Sequence, residues 1–333
     1  MTRAPARSRA WLRWPGWPLA LAAVLLLAAL VLPPVDRPRS VHRYQVTFDI
    51  SQSMNVADVE LGGRMVTRLE LAKAAWREQL GRLPCGSSVG WSVFAAQRAM
   101  TLVTPLDVCE HYDGLVAALD AIDGRMRWQN ASSVGKGLHQ SLRAARAIGD
   151  DVAVVLLSDG HEAPPLRAGA SGIPKTDGID VGGVLIGVGG ATPVPIPRTD
   201  EEGRTFGFWT AEEVTQRPDA PGGAGGEELS SLRVEHLESL ARIAGLGYAT
   251  LASPSSLGGA LDGNSHAARE VAVPVDFSWI PATLALAALC WRFVPRRVPV
   301  PAPISMPVRN APARRHRGGV GRGAERGPDS RSD

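Results

Sequence analysis

Residues Phe48 to Asp58 read FDISQSMNVAD and follow directly on the apolar run Tyr44-Gln45-Val46-Thr47. A strand that ends in this way sets one carboxylate and two hydroxyls at alternate positions, Asp49, Ser51 and Ser53. These are hard oxygen donors, which suit a hard cation better than a soft one. Whether they form a site depends on which other strand ends and loops the chain brings beside them.

Working outward, the hydrophobic pattern alternates between strand-like runs and amphipathic helices. Thr67 to Leu83 reads as a helix, with Leu69, Ala72, Trp76, Leu80 and Leu83 at helical spacing and Thr67-x-x-Glu70 as a capping box. Residues 88–106 read as a hairpin turning near Ala96 to Arg98, followed by helices from Asp113 to Ile122 and from Gly135 to Ile148. Asp151 to Leu157 is a continuous apolar run of strand length that ends in Ser158-Asp159-Gly160. Ile179 to Val188 is another such run, and a helix from Leu229 to Ala244 leads to a last strand, Tyr248 to Leu251. Apolar runs separated by helices predict an α/β fold: a doubly wound, mostly parallel sheet with one antiparallel edge strand from the hairpin.

In such a sheet ligands bind beyond the carboxyl ends of the strands, where the strand order reverses. The strands ending at Asp49 and Asp159 are placed to flank that point. The loop Asn130-Ala131-Ser132-Ser133-Val134-Gly135, which opens a helix, faces the same crevice. Five residues from three loops are thus the candidate ligands: Asp49, Ser51, Ser53, Ser132 and Asp159. Carboxylates and hydroxyls without histidine or cysteine predict magnesium, with manganese or calcium as alternatives. Asp58, His161 and Glu162 are close enough in sequence to line the rim, or to be solvated loop residues.

The chain has 333 residues, 44% of them hydrophobic, enough for a full-sized core. Its net charge of +3 is uneven, with arginines crowding both ends. Residues 1–16 form a basic N-terminus, and Trp17 to Leu32 is uncharged, reading as a signal peptide or, with Pro-Pro following instead of a small-residue cleavage site, as an uncleaved anchor over residues 17–33. A second apolar run, Phe277 to Val294, is followed at once by Pro295-Arg296-Arg297 and a Pro-, Gly- and Arg-rich tail over residues 295–333. Positive charge on the outer side of both runs places both termini in the cytoplasm and the domain of residues 38–262, with a linker over 263–276, in the periplasm of an inner-membrane protein. The tail's charge is accounted for by the adjacent membrane, so no nucleic-acid partner is expected.

Cys290 lies in the second apolar run, whereas Cys85 and Cys109 fall at the open end of the predicted hairpin. A disulfide there suits an oxidising compartment; two unconnected buried thiols are the alternative. The Pro- and Gly-rich segment of residues 190–228, with Asp200-Glu201-Glu202, is longer than a connection needs and reads either as a partner-contacting loop or as a surface insertion. No Ser-His-Asp pattern, phosphate-binding glycine loop or evident general base is present in the sequence, so binding without turnover is expected, with a metal-dependent hydrolase as the lesser alternative.

The three-part pattern Asp49-x-Ser51-x-Ser53, Ser132 before Gly135, and Ser158-Asp159-Gly160 resembles the metal-ion-dependent adhesion site of von Willebrand factor A domains. Asp58-Val59 and Thr67-Arg68-Leu69 resemble its bacterial membrane-anchored branch. Leu83-Pro84-Cys85-Gly86-Ser87, Asp159 to Pro165, Ile186 to Gly190 with Pro195-Ile196-Pro197, and Leu229 to Arg233 resemble the MxaL-type group of bacterial methanol-oxidation clusters. The resemblance implies a cation bound by Ser51, Ser53 and Ser132, by Asp49 and Asp159 directly or through water, and completed by a partner's Asp or Glu. It also implies maturation of methanol dehydrogenase at calcium insertion, with other A-domain proteins and a MoxR-type AAA+ ATPase as companions; a Bat-type envelope scaffold or chaperone component unrelated to methanol, which shares the fold and the site, is the alternative. Ser132 departs from the threonine usual in the family: it keeps the hydroxyl and loses one methyl.

Overall fold

The computed structural model describes residues 16–167, 169–174, 179–217, 226–262 and 268–293. The basic N-terminus up to residue 15 and the tail from residue 294 lie outside the described residues.

In chain order the elements begin with helix α1 (Trp17–Val31), the long strand β1 (Val35–Asp49) and a 3-10 turn (Gln52–Asn55). The small hairpin β2 (Val59–Leu61) and β3 (Arg64–Val66) leads into α2 (Arg68–Leu80), then β4 (Ser88–Ala95), β5 (Arg98–Asp107) and α3 (Tyr112–Ala121). After a 3-10 turn at Gly124–Met126 come α4 (Val134–Ile148), β6 (Ala153–Ser158) and β7 (Gly183–Gly187). The insertion carries β8 (Val194–Pro195), β9 (Pro197–Thr199) and β10 (Thr205–Phe208), and β11 (Leu229–Ser230) closes it. The chain continues through α5 (Val234–Ala244), β12 (Gly247–Thr250), α6 (Ser256–Asp262), β13 (Ala268–Val275) and α7 (Trp279–Phe293).

The main sheet has the order β12-β7-β6-β1-β4-β5, with every neighbouring pair parallel except the β4–β5 edge hairpin. The chain leaves β1 toward β4 on one side and returns to β6 on the other, so the strand order reverses between β1 and β6, as the sequence predicts. Side-chain alternation builds the two covered faces. Val46 and Phe48 of β1 and Val155 and Leu157 of β6 pack with Trp76, Leu115, Leu119 and Leu257 from α2, α3 and α6. Val154 and Leu156 of β6 face the other way, against Leu138 and Leu142 of α4 and Leu237 and Leu240 of α5. The buried indole of Trp91 meets Trp76 edge-on at 5.7 Å between centroids and donates to Leu115 O at 3.0 Å, so its one polar atom is satisfied inside the core.

Cys85 and Cys109 form a disulfide with 5.3 Å between Cα atoms, joining the open end of the hairpin. The expected capping box of α2 is present, with Thr67 and Glu70 each accepting from the other's backbone.

Three expectations are revised. The helix predicted from Leu229 starts at Val234, because Leu229 and Ser230 pair instead with β8. The strand predicted from Tyr44 reaches back to Val35: residues 35–42 pair antiparallel with β13, which occupies the stretch read as a linker. Alternating Val and Ala with exposed Arg and Glu gives these residues strand character without a buried face, which hid them from a search for apolar runs. The apolar runs expected as membrane spans form α1 and α7, 15 residues each, and among the described residues no helix is long and apolar enough to cross a membrane. At 1.5 Å per residue each covers ~22 Å against a hydrocarbon core of about 30 Å. Residues 29–280 form one compact unit, and most of α1 and α7 belongs to a second.

Candidate functional site

β1 and β6 are adjacent and in register, so their ends bring Asp49 and Ser158-Asp159 together at the carboxyl edge of the sheet. Both aspartates are completely buried. Asp49 accepts from Ser51 N at 2.9 Å through Oδ1 and from Ser158 Oγ at 2.7 Å through Oδ2. The turn that follows β1 places the Ser51 and Ser53 hydroxyls 3.1 Å apart. The third loop is fixed by backbone pairing: Ser132 and Ala163 exchange N–H···O bonds of 2.8 Å each, and Ser133 N donates to Ala96 O at 2.6 Å. The structure therefore gathers Asp49, Ser51, Ser53, Ser132 and Asp159 at one end of the sheet, the first two loops through strand register and the third through this clamp.

The charge balance includes a residue whose role the sequence did not disclose. Arg68, the first residue of α2, is fully buried, and its guanidinium reaches Asp159 Oδ2 at 2.5 Å and Asp58 through Nε at 2.9 Å and Nη2 at 2.6 Å. It also donates to Ser230 Oγ and Ser230 O at 2.7 and 3.1 Å. Asp58, named as a possible rim residue, is thus the second carboxylate of a buried Asp58-Arg68-Asp159 chain. A planar fork with five donors fills this role as a lysine could not. Burial works to raise the Asp159 carboxyl, but the Arg68 charge foremost, with His161, holds it below the ordinary range. Asp49 has no such cation: burial first, and the charge of Asp159 second, push it up to about 7. Three carboxylates, Asp49, Asp58 and Asp159, share one arginine, which bonds to the last two only.

Above the aspartates lies a cleft of about 360 Å³ lined by Ser51, Ser53, Ser132, His161 and Glu162. Ser132 Oγ, His161 Nδ1 and Glu162 Oε2 are buried without a hydrogen-bond partner. Buried polar atoms are rarely left unsatisfied, and these three border the cleft, where they could bond to a ligand. The other Glu162 oxygen contacts His236 Nε2 at 3.1 Å, and burial pushes the His161 ring down to about 4, leaving it neutral at pH 7. Among the described residues no three His, Cys, Asp or Glu side chains gather as a metal site. The donors here are two aspartates with three serine hydroxyls, a set suited to a hard divalent cation that keeps some of its water.

The insertion forms one wall of this cleft. Ile196, Trp209 and Glu213 line it, and the Trp209 indole donates to Gln52, the residue between Ser51 and Ser53. Gln52 also donates to Asn130 Oδ1 at 3.1 Å, so one side chain links the β1 loop, the Ser132 loop and the insertion.

No family model matches the chain, and no curated protein matches it. Among solved structures it is similar to a serine-substituted aerotolerance-related membrane protein from Bacteroides fragilis, at 20% identity, covering 67% of this chain and 97% of that one with a TM-score of 0.47. It is also similar to BatB from Bacteroides thetaiotaomicron, at 18% identity over 67% and 98% of the two chains, TM-score 0.47. A von Willebrand factor type A structure from Catenulispora acidiphila is 13% identical over 77% and 46%, with a TM-score of 0.37.

Proposed function

We propose that this chain carries a von Willebrand factor A-type module that holds a divalent cation, magnesium by preference with manganese or calcium as alternatives, and uses it to grip a carboxylate of a partner protein. The observation that carries the reading is the buried, unpartnered Ser132 hydroxyl in the same cleft as the paired hydroxyls of Ser51 and Ser53. In this reading the three hydroxyls hold the ion, while Asp49 and Asp159 neutralise it from beneath. A bound cation supplies an open coordination position for an incoming Asp or Glu. Ser158 Oγ and Ser51 N fix the Asp49 carboxylate, and Arg68 fixes that of Asp159. The activity proposed is binding without turnover.

α1 and α7 expose large apolar side chains along their length, among them Trp17, Leu27, Leu30, Leu284 and Trp291. Each helix is shorter than the hydrocarbon core, but the apolar runs that contain them, Trp17 to Leu32 and Phe277 to Val294, have arginines on their outer sides. On that ground we propose an inner-membrane protein with both termini in the cytoplasm and the disulfide-bearing domain in the periplasm, where such a bond persists. An envelope scaffold that recruits partners through the cation is the function proposed first. Maturation of methanol dehydrogenase, with companion A-domain proteins and a MoxR-type ATPase, is the second reading and is supported by the sequence likeness over residues 83–87, 159–165, 186–190 with 195–197, and 229–233.

The test has two stages. Purified full-length protein is expected to gain thermal stability with Mg²⁺ and to lose that gain in Asp49→Ala; an equal gain in both would sink the site. In a strain carrying Asp49→Ala, methanol dehydrogenase that accumulates without calcium supports the maturation reading. Normal calcium content and activity support the general scaffold.

A further inference from the structure

Both roots of the insertion are fastened to the same buried ion chain as the site. At one root, Gly190 N donates to Asp58 Oδ2 at 3.0 Å. At the other, Ser230 Oγ donates to Asp159 Oδ2 at 2.9 Å while Ser230 also accepts from Arg68. Arg68 sits at the centre, bonded to both aspartates. No solvent reaches it, since its side chain and that of Asp159 are 0% exposed. Any positive charge arriving beside Asp159 therefore shares a carboxylate that Arg68 already holds at 2.5 Å, in a medium where such charges are poorly screened.

We infer that Arg68 is a positioning residue that competes with a bound cation for Asp159 and thereby ties the insertion's hold on the cleft to cation occupancy. The inference rests on the proposed cation and adds its regulation. As the cation takes charge from Asp159, the Arg68 and Ser230 bonds to that carboxylate weaken, and the root of the insertion at β11 loosens. Its wall over Ser51 and Ser53, fixed through Trp209 and Gln52, is then freer to admit a partner. Linkage requires the reverse as well: releasing the tether tightens cation binding by the same factor. A merely structural Arg68 gives the opposite sign, because disturbing it would only loosen the site.

The experiment uses the full chain in detergent micelles, with Mg²⁺ as the probe. Cation affinity is read by calorimetry, and the insertion by the rate of tryptic cleavage after Arg204, whose side chain is 75% exposed. The double variant Asp58→Asn/Arg68→Met removes two opposite charges together, so the net charge of the chain is unchanged, and it leaves the Asp159 carboxylate to the cation alone. Ser230→Ala is the milder second variant, deciding the matter if the double variant does not fold. Mg²⁺ is expected to speed wild-type cleavage about fivefold. Both variants are expected to cleave fast with or without the ion, and the double variant to bind it about fivefold more tightly, the same factor. Unchanged or weaker affinity in folded variants overturns the inference, as does wild-type cleavage indifferent to an ion that calorimetry shows to be bound. If wild type binds no Mg²⁺ at all, the cation reading itself fails, and this inference fails with it.

Discussion

In the proposed cation site, Asp49 is the residue at which folding and binding pull against each other. Its carboxylate is buried beside that of Asp159, and among the described residues the only cation paired with either, Arg68, belongs to Asp159. Because its folded pKa, about 7, lies above the unfolded value near 4, the protonated form is favoured by folding. That contribution to stability is fully present below about pH 4 and is lost as pH rises through about 7. In the presence of a chelator, the melting temperature is therefore expected to fall across this window, and in Asp49→Asn the fall should be much smaller. The same variant should melt no lower than wild type at pH 8, yet gain nothing from Mg²⁺; a melting temperature well below wild type there would contradict this balance of charges. The spacing Asp49-x-Ser51-x-Ser53 was legible because all three donors lie on one strand end. Arg68 was not, since its partners Asp159 and Ser230 are 91 and 162 positions away, and only the folded sheet brings them to it.

At the scale of elements, the site depends on how closely neighbours pack. Gly137 of α4 lies against the ring of Phe94, so that a Cβ there would overlap it, and this close approach sets the helix whose opening loop presents Ser132. The edge hairpin is held at its open end twice, by the Cys85–Cys109 bond and by Asp107, which accepts from Gly86 N at 3.0 Å and Cys109 N at 2.8 Å. The disulfide closes a loop with a separation of 24 residues, which corresponds to about 3 kcal/mol. Cys85→Ser/Cys109→Ser is thus expected to lower unfolding stability by about that amount in urea, while Mg²⁺ affinity stays within twofold, since the bond joins the end of the hairpin opposite the turn at Ala96 that pairs with Ser132. Loss of cation binding in a folded double mutant would show that the hairpin transmits strain to the site. The strands and helices with a buried face were readable from periodicity, β6 most directly because every one of its residues is buried. β11 was misread as helix because two residues carry no period; its pairing with β8 decides its conformation.

For the larger unit, residues 29–280, the governing feature is that one strand serves two environments. β1 runs unbroken for 15 residues, about 50 Å at a strand's rise, from just after α1 to the site carboxylate Asp49. Its first six residues are exposed and pair only with β13, whereas Tyr44 to Asp49 are buried between β4 and β6. A two-stranded ribbon without a covered face is marginal by itself, while strands inside a covered sheet open only with the whole unit. Amide exchange in the full-length protein is therefore expected to change sharply near Val41. Residues 44–49 should exchange at the rate of global unfolding, and residues 35–40 with 268–275 orders of magnitude faster. A uniform rate along β1 would mean that the ribbon is as stable as the sheet and that the strand is one rigid rod. The stepped profile instead gives the site a firm floor and the segment between it and α1 a compliant one. Partner-driven displacement would then be absorbed at the ribbon and leave the geometry of Ser51, Ser53 and Ser132 intact.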